Sequence, residues 1–508
     1  MQVSKRFRPA LASVVAAVLP WMLMNPASAQ SFRVQCPTYT NLHPDPAAAS
    51  TAAVIAAAGT GATYASVFPG AIKCQEIGGS DGFATMGDGH QIYLFGFAPL
   101  SGIADLTSGL PGTQVASVFN NQIDLSGNGA KSEPAAIMNT GVLYANAPAP
   151  MIAIDEGDEL FLTLSNVGMI MRPDLFEQHT VHFHGYPNAS SFFDGVPDAS
   201  VAINIAGSFT YYYTAPDAGT YFWHCHIAPP EHLQMGMVGQ IFVRPRQNQI
   251  NASTTLLSAL QSSNGRNRGL VNDASTNACS DLLCTGATPL PAVDTGAKGG
   301  GKYAYNDGDA STRYDYDVPI QMMGFDPNFH FVGMTFNPEA FADMKDKYFM
   351  LNGRSYPDTI KTSFDNSLTT GVNGSPVPNG PMTTQGSDGA DRPSQPLHSL
   401  ITLDKTHGKT RALLRLSDLS VTEHTTLATV GIPMKVIAQN ARLLRDLDGN
   451  NLYYDTNSIT LGGGESIDVI LDASNTPVGT YFLYSTNLDH LSNDAENFGG
   501  MMTEIVVQ

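Results

Sequence analysis

The stretch "GTYFWHCHIAPPEHLQMGM", residues 219–237, decides how the chain is read. An apolar run of strand-forming residues leads into one cysteine between two histidines, and a third histidine and a methionine follow. Successive side chains of a strand point to opposite faces. His224 and His226 therefore share one face and Cys225 takes the other.

A second histidine cluster, "HTVHFHG" at 179–185, has the same logic. Alternation puts His182 and His184 on one face and leaves His179 off it. Two strands thus each present a histidine pair, while His179, Cys225, His232 and Met237 can form a separate inner set. Two imidazoles, a thiolate and a weak axial thioether describe a blue-copper electron-transfer centre. Zinc competes, but its structural sites take closed Cys/His sets without methionine. Cys225 as a nucleophile is a second alternative. It needs a nearby base and a substrate pocket, and it leaves Met237 without a role.

Outward from this core, the chain from Ile92 onward is a series of short β-type runs broken by Gly, Pro, Asn and Asp. "MIAIDEGDELFLTLSN" and "SFTYYYTAPDAGTYFW" alternate and turn as antiparallel sandwich strands do. There is an internal repeat. "AGTYFWHCHIAPPEHLQMGMVGQIFV" (218–243) has a partner in "VGTYFLYSTNLDHLSNDAENFGGMMTEIVV" (478–507), and "IDEGDELFLTL" matches "LGGGESIDVIL". In the second copy Tyr484, Ser485 and Thr486 stand where the first has His224, Cys225 and His226. The expected organisation is a signal peptide (1–29), an N-terminal segment (30–82), a metal-binding domain (83–246), a Ser/Asn/Gly-rich linker (247–312) and a second, ligand-free domain (313–508). Within the last, 363–395 reads as a surface insertion, while 44–62 reads equally as a short helix or a spacer.

The leader carries Lys5, Arg6 and Arg8, an apolar segment and "ASA" at 27–29, which together read as an export signal. Its apolar run is short of the ~20 residues that span a bilayer. The mature protein is expected in the periplasm or secreted, with no membrane span. Of five cysteines, Cys36 with Cys74 and Cys279 with Cys284 can pair in an oxidising compartment, leaving Cys225 over. A formal net charge of −19, more negative once the leader is gone, argues against nucleic acid and anionic membrane surfaces.

"HTVHFHG" resembles the H-x-x-H-x-H-G signature of multicopper oxidases, and "HCHIAPPEHLQMGM" resembles their H-C-H…H…G-M signature. "DGVP" (194–197), "SFTYYY" and "NGRSYPDT" (352–359) are also similar to stretches of that family, and the resemblance runs over most of 83–246 and 313–508. It implies an all-β fold of two cupredoxin-like Greek-key β-sandwich domains and copper as cofactor. It implies that His179, Cys225, His232 and Met237 are type 1 ligands, His182 a type 2 ligand, and His184, His224 and His226 type 3 ligands. Electrons from a small reducing substrate or an electron-donor protein would enter at type 1 and pass through the histidines flanking the cysteine to a cluster that reduces dioxygen. Asp194, in "FFDG", matches an acidic position used for proton delivery, and it reads equally well as a turn residue before Gly195.

The sequence departs from the family twice. His232 lies seven positions after Cys225, where multicopper oxidases usually have five, and copper nitrite reductases also have a longer, proline-containing loop here. A trinuclear cluster uses eight histidines from two domains. The remaining ones, His43, His90, His330, His398, His407, His424 and His490, form no H-x-H pair, and "TTLATVGIPMKV" stands where a second histidine strand belongs. Three readings follow. Two subunits join their halves, as a self-complementary two-fold interface permits. A single type 2 copper, completed by a neighbouring subunit, reduces nitrite. Or the outer histidines bind copper for storage or transfer, without turnover. The expectation is a multicopper-oxidase-like enzyme whose outer site is completed in a homo-oligomer.

Overall fold

A computed structural model describes residues 32–122, 134–185, 190–215, 217–250, 303–334, 340–362, 391–446 and 448–508, with a few positions inside 256–260 and 368–385. The expected leader, the Cys279/Cys284 pair and most of the 247–312 linker lie outside the described residues.

The first half is a sandwich of two sheets. We number its strands β1 (Ile72–Thr85), β2 (Gln91–Pro99), β3 (Gln114–Val115), β4 (Ile152–Asp155), β5 (Glu159–Gly168), β6 (His182–Phe183), β7 (Ser208–Thr214), β8 (Gly219–His224) and β9 (Val238–Arg244). One sheet runs β2-β1-β5-β7, with β3 on β1, and the other β4-β9-β8-β6. The pairs β1/β5 and β4/β9 are parallel and the rest antiparallel, so the fold is all-β with mixed sheets. The inward residues of β5 and β7, Leu160, Leu162, Leu164, Tyr211 and Tyr213, meet Tyr221 and Trp223 of β8 in one core. At ~1.5–3 kcal/mol for each fully buried large apolar side chain, this core dominates the stability of the half. Strand β1 begins at Ile72, ahead of the 83 expected for the domain start, and the Cys36–Cys74 disulfide ties the N-terminal segment to it. The undecided 44–62 stretch contains a helix, Ala49–Ala57.

The second half repeats the plan. Tyr316–Phe325 pairs in parallel with Arg411–Asp418 as β1 does with β5, and Ile401–Leu403 pairs with Met502–Val507 as β4 does with β9. Gly479–Ser485 runs antiparallel to Met502–Val507 as β8 does to β9. Strand alternation builds its core as well, from Ala412, Leu414 and Leu416 against Ile467, Val469 and Leu471.

Every residue of β8 is buried because both its faces are covered. Tyr221, Trp223 and then Cys225 point into the first core. Phe222, on the opposite face, joins Val238, Met323, Phe325 and Met350 in a cluster between the halves. On that same face Thr220 donates to Asp468 (2.6 Å) and accepts at its carbonyl from Ser466 (2.6 Å). His224 emerges on the face that meets the second domain. No helix among the described residues is long and apolar enough to cross a membrane.

Candidate metal centres

Inner set. The β8 strand ends at His224, the chain turns through a helix at Pro229–Gln234, and β9 begins at Val238. Two backbone bonds close this loop: Cys225 N–H donates to the Met237 carbonyl (3.1 Å), and Met237 N–H donates to the His232 carbonyl (2.8 Å). The closure brings one ligand atom each of His179, Cys225 and His232 within 4.8 Å of one another. His232 Nδ1 lies 3.3 Å from Cys225 Sγ, and the Thr180 N–H donates to the sulfur from 3.4 Å. Met237 is fully buried in the same core as Cys225.

His179 arrives from the β5–β6 connection and packs on Gly79 of β1, where a Cβ would sit 2.3 Å from its Cδ2. Among the described residues neither of its ring nitrogens has a hydrogen-bond partner, although the ring is wholly buried. Orphaned buried polar atoms cost about 1–3 kcal/mol each, and a metal ion bound at one nitrogen removes that cost. Burial, then His232, hold His179 well below the usual imidazole range, which keeps it a neutral ligand. At His232 burial also acts downward, but the Cys225 sulfur and Glu177 outweigh it and push the ring up to about 10. This set is a soft, dry donor group suited to copper.

Outer set. His182 and His224 are cross-strand partners on β6 and β8. His182, His184 and His224 bring ligand atoms within 4.8 Å of one another, and His226 lies alongside, its ring 5.0 Å from His182 and stacked 5.4 Å from His224. Two of the three have one nitrogen tied to a carbonyl. His182 Nδ1 is 2.7 Å from the Asp194 carbonyl and His224 Nδ1 is 2.6 Å from the Cys225 carbonyl. Such carbonyl contacts orient ligating imidazoles and fix which nitrogen carries the proton. Gly464 of the second domain packs against the His184 ring, where a Cβ would lie 3.0 Å from Nδ1 and Cε1. The free Nε2 atoms of His184 and His224 stand 3.0 Å apart. Burial first, then the neighbouring imidazoles, pulls His184 down to about 4. Burial likewise takes His224 down to about 3, against the Cys225 carbonyl. Two imidazole nitrogens at that distance share a proton when metal-free and can instead share a metal ion.

The outer set borders a cleft of about 600 Å³ between the halves. Its near wall has His184, Phe222 and His224, and its far wall has Glu423, His424, Gly462–Gly464 and Glu465. Asp194 lies beside the set, its carboxylate 3.6 Å from His182 Nδ1 and about one-third exposed. Its carboxylate is near His182, as a proton-delivery role needs, and it directly precedes Gly195 at φ +82°, as a turn role needs.

Of the eight positions expected as ligands, His179, Cys225 and His232 come together, as do His182, His184 and His224, while Met237 is buried in the core with Cys225 and His226 lies beside the second group. Of the leftover histidines, His424 lines the cleft and four others are spent elsewhere. His330 places its ring nitrogens on the Tyr93 and Gln234 carbonyls, His43 pairs with Glu159, and His407 pairs with Asp404. His490 stacks on Phe349. Sequence reading missed Glu177, whose Oε2 is 3.5 Å from His232 Nε2 and whose side chain is 27% exposed, so it links a buried ligand to solvent. It lies two residues ahead of His179, the spacing that shares a face in extended chain. The cleft's far wall was also missed, because no local pattern marks it.

The second half keeps the frame of the inner set. Ser485 N–H donates to the Met501 carbonyl (2.9 Å), Met501 N–H donates to the His490 carbonyl (2.8 Å), and Ser485 Oγ lies 3.1 Å from His490 Nδ1. Strand register pairs Ala428 with Tyr484 as it pairs His182 with His224. Thr425, Ala428 and Val430 therefore stand where His179, His182 and His184 stand in the first half.

Residues 130–248 and 345–506 each match a family model described as multicopper oxidase, and the two cover more than half of the chain. The multicopper oxidase MCE of Talaromyces pinophilus is 30% identical over 164 residues, 30% of this chain and 25% of that protein. Multicopper oxidase MmcO of Mycobacterium tuberculosis is 28% identical over 131 residues, 25% and 24% of the two chains. The chain thus matches about a quarter of the length of these relatives. Among solved structures, the blue copper oxidase from Nitrosomonas europaea is 18% identical, with a TM-score of 0.49 over 85% of each chain. With a Cys-His-Met pocket in one half, a bare copy of its frame in the other, and one family's models matching both, the chain belongs to the multicopper oxidase family.

Proposed function

We propose that the chain is a copper-dependent oxidoreductase. In this reading it takes electrons at an inner site of His179, Cys225, His232 and Met237, passes them to an outer site among His182, His184, His224 and His226, and gives them to dioxygen. The observation that carries the reading is continuity between the two sets. Cys225 belongs to the inner set and its two chain neighbours belong to the outer one, with His224 Nδ1 on the carbonyl of Cys225 itself. Copper at both sites would supply one-electron redox chemistry.

The protein's own groups do the rest. Burial of His179, Cys225, His232 and Met237 keeps water from the inner set. The Thr180 amide steadies charge on the sulfur. Glu177 marks where a donor approaches, and the loop that carries it exposes Ile170, Met171 and Phe176, a surface suited to a small reducing molecule or to a donor protein. Asp194 is placed to hand protons to the His182 side. The second domain, 313–508, serves as a wall and carries no copper of its own. The cleft has two glutamates and, among its described lining residues, no lysine or arginine. That field disfavours an anion such as nitrite and accepts neutral dioxygen.

Copper-loaded protein is reduced without oxygen until its blue band bleaches, and oxygen is then admitted. The band returns in the parent chain, and in His184→Ala its return slows at least tenfold. Equal rates of return in the two proteins overturn the proposal.

A further inference from the structure

We infer that the outer histidines form a one-copper site closed within a single chain by its second domain, so that dioxygen is reduced by two electrons to hydrogen peroxide. The inference rests on the reading of the outer set as the acceptor's copper site.

Three observations carry it. The first is the donor count. The carbonyls of Asp194 and Cys225 each take one nitrogen of His182 and His224, His184 turns its Nε2 to within 3.0 Å of His224 Nε2, and the three rings bring one ligand atom each within 4.8 Å of one another. Three protein ligands with one position left open is the arrangement of a single catalytic metal ion. His226 stacks on His224 but offers no ligand atom within the 4.8 Å group.

The second is closure in cis. Gly464 has φ +89°, and a Cβ there would lie 3.0 Å from His184 Nδ1 and Cε1. The Gly462–Gly464 turn of the same chain therefore lies against the ring that a second subunit's imidazoles would have to approach. His184 and His224 also border the cleft, whose far wall is this chain's own second domain. The second domain supplies no replacement histidine strand, since Thr425, Ala428 and Val430 hold those places.

The third is the electron and proton balance. With one copper at each of two sites the chain stores two electrons, one fewer pair than cleavage of dioxygen to water consumes. Two electrons from the reducing donor and two protons convert O₂ to H₂O₂, with no O–O bond broken. The protons come from solvent in the cleft, whose far wall Glu423, His424 and Glu465 line.

The test is native mass spectrometry of the copper-loaded full chain, with EPR and oxygen uptake in parallel. Expected are a monomer with one blue and one non-blue copper, and one H₂O₂ formed for each O₂ consumed. Gly464→Ala and His184→Ala should each lose the non-blue copper and its EPR signal while the blue band, which reports the fold, persists. A non-blue copper bound only in oligomers, more than one of them per chain, a Gly464→Ala protein that keeps it, or water as the product overturns the inference. A chain that binds blue copper alone in every state overturns the oxidase reading beneath it, so the two failures are distinguishable.

Discussion

Gly79→Ala is a test of how tightly the inner set is held. Gly79 pairs with Phe97 in the middle of the first sheet. Its added Cβ would lie 2.3 Å from His179 Cδ2 and 3.2 Å from Cγ and Nε2. Carbon atoms sit comfortably at about 3.5–4.0 Å, so the ring must retreat by about 1 Å. His179 has no exposed surface into which to move, and overpacking of such a core costs about 1–3 kcal/mol. Removing glycine's freedom in the unfolded chain returns about 0.4–1 kcal/mol. The net expected loss is about 1–2 kcal/mol, read as a lower urea midpoint at unchanged slope. A displacement of about 1 Å also exceeds the ~0.5 Å tolerance of a metal site, so the visible band of the loaded protein should shift or disappear. Gly78→Ala is the control: its Cβ meets the flexible end of Leu100 at 3.3 Å, and the band should survive. A Gly79→Ala protein with the parent's midpoint and the parent's band would refute the close packing of His179 on β1.

Cys225→Ser should abolish the intense visible absorption, yet change the metal-free stability by no more than about 1 kcal/mol, because the hydroxyl gains the His232 nitrogen as partner; calorimetry of the metal-free variant checks it. Burial pushes the Glu156 carboxyl up to about 7 from 4.5, against bonds from Asn306 and the amides of Arg246 and Ala218. The folded state then binds more protons than the unfolded one between those values, so stability falls as pH rises through that window, by up to ~1.4 kcal/mol per unit. Glu156→Gln should flatten that slope in urea midpoints taken from pH 4.5 to 7, leaving the smaller part due to Asp158, which burial raises to about 6. Replacing Cys36 and Cys74 by serine opens a loop spanning 38 residues and should cost about 4 kcal/mol on chain-entropy grounds, seen as a lower melting temperature.

The two ligand sets were legible because strand alternation is a local rule. His224, Cys225 and His226 sort onto two faces from their spacing alone, and "HTVHFHG" sorts the same way. The repeat was legible through "GTYF", which starts β8 and its counterpart Gly479–Ser485. The missing parts depend on contacts across the chain. Gly464 meets His184 from 280 positions away, and the Gly462–Gly464 turn reads in sequence as an ordinary strand connection. His330 looked like any leftover histidine, and only the packed domains show it bridging Tyr93 and Gln234. The cleft wall opposite the outer histidines, with Glu423, His424 and Gly462–Gly464, has no local signal in the sequence.

The duplicated domain separates what the fold supplies from what the metal requires. Around Cys225 and Ser485 the same two backbone bonds close the loop, at 3.1 and 2.8 Å in one copy and at 2.9 and 2.8 Å in the other. In both copies a histidine nitrogen faces the Cys or Ser side chain, at 3.3 Å and 3.1 Å. An aromatic ring supports that histidine, Phe95 in the first half and Phe349 in the second. The pocket geometry therefore belongs to the sandwich, and it accommodates a cysteine in one copy and a serine in the other. The copies differ in their polar accounts. In the first, both nitrogens of a buried His179 are left without partners; in the second, Thr425 stands in that place and its hydroxyl reaches Ser420. A domain freed of that unsatisfied ring is free to serve as packing surface, and its Gly462–Gly464 turn and Glu423 lie on the cleft beside the other copy's histidines. The half without those histidines thus forms the far wall of the cleft that His184 and His224 of the other half border.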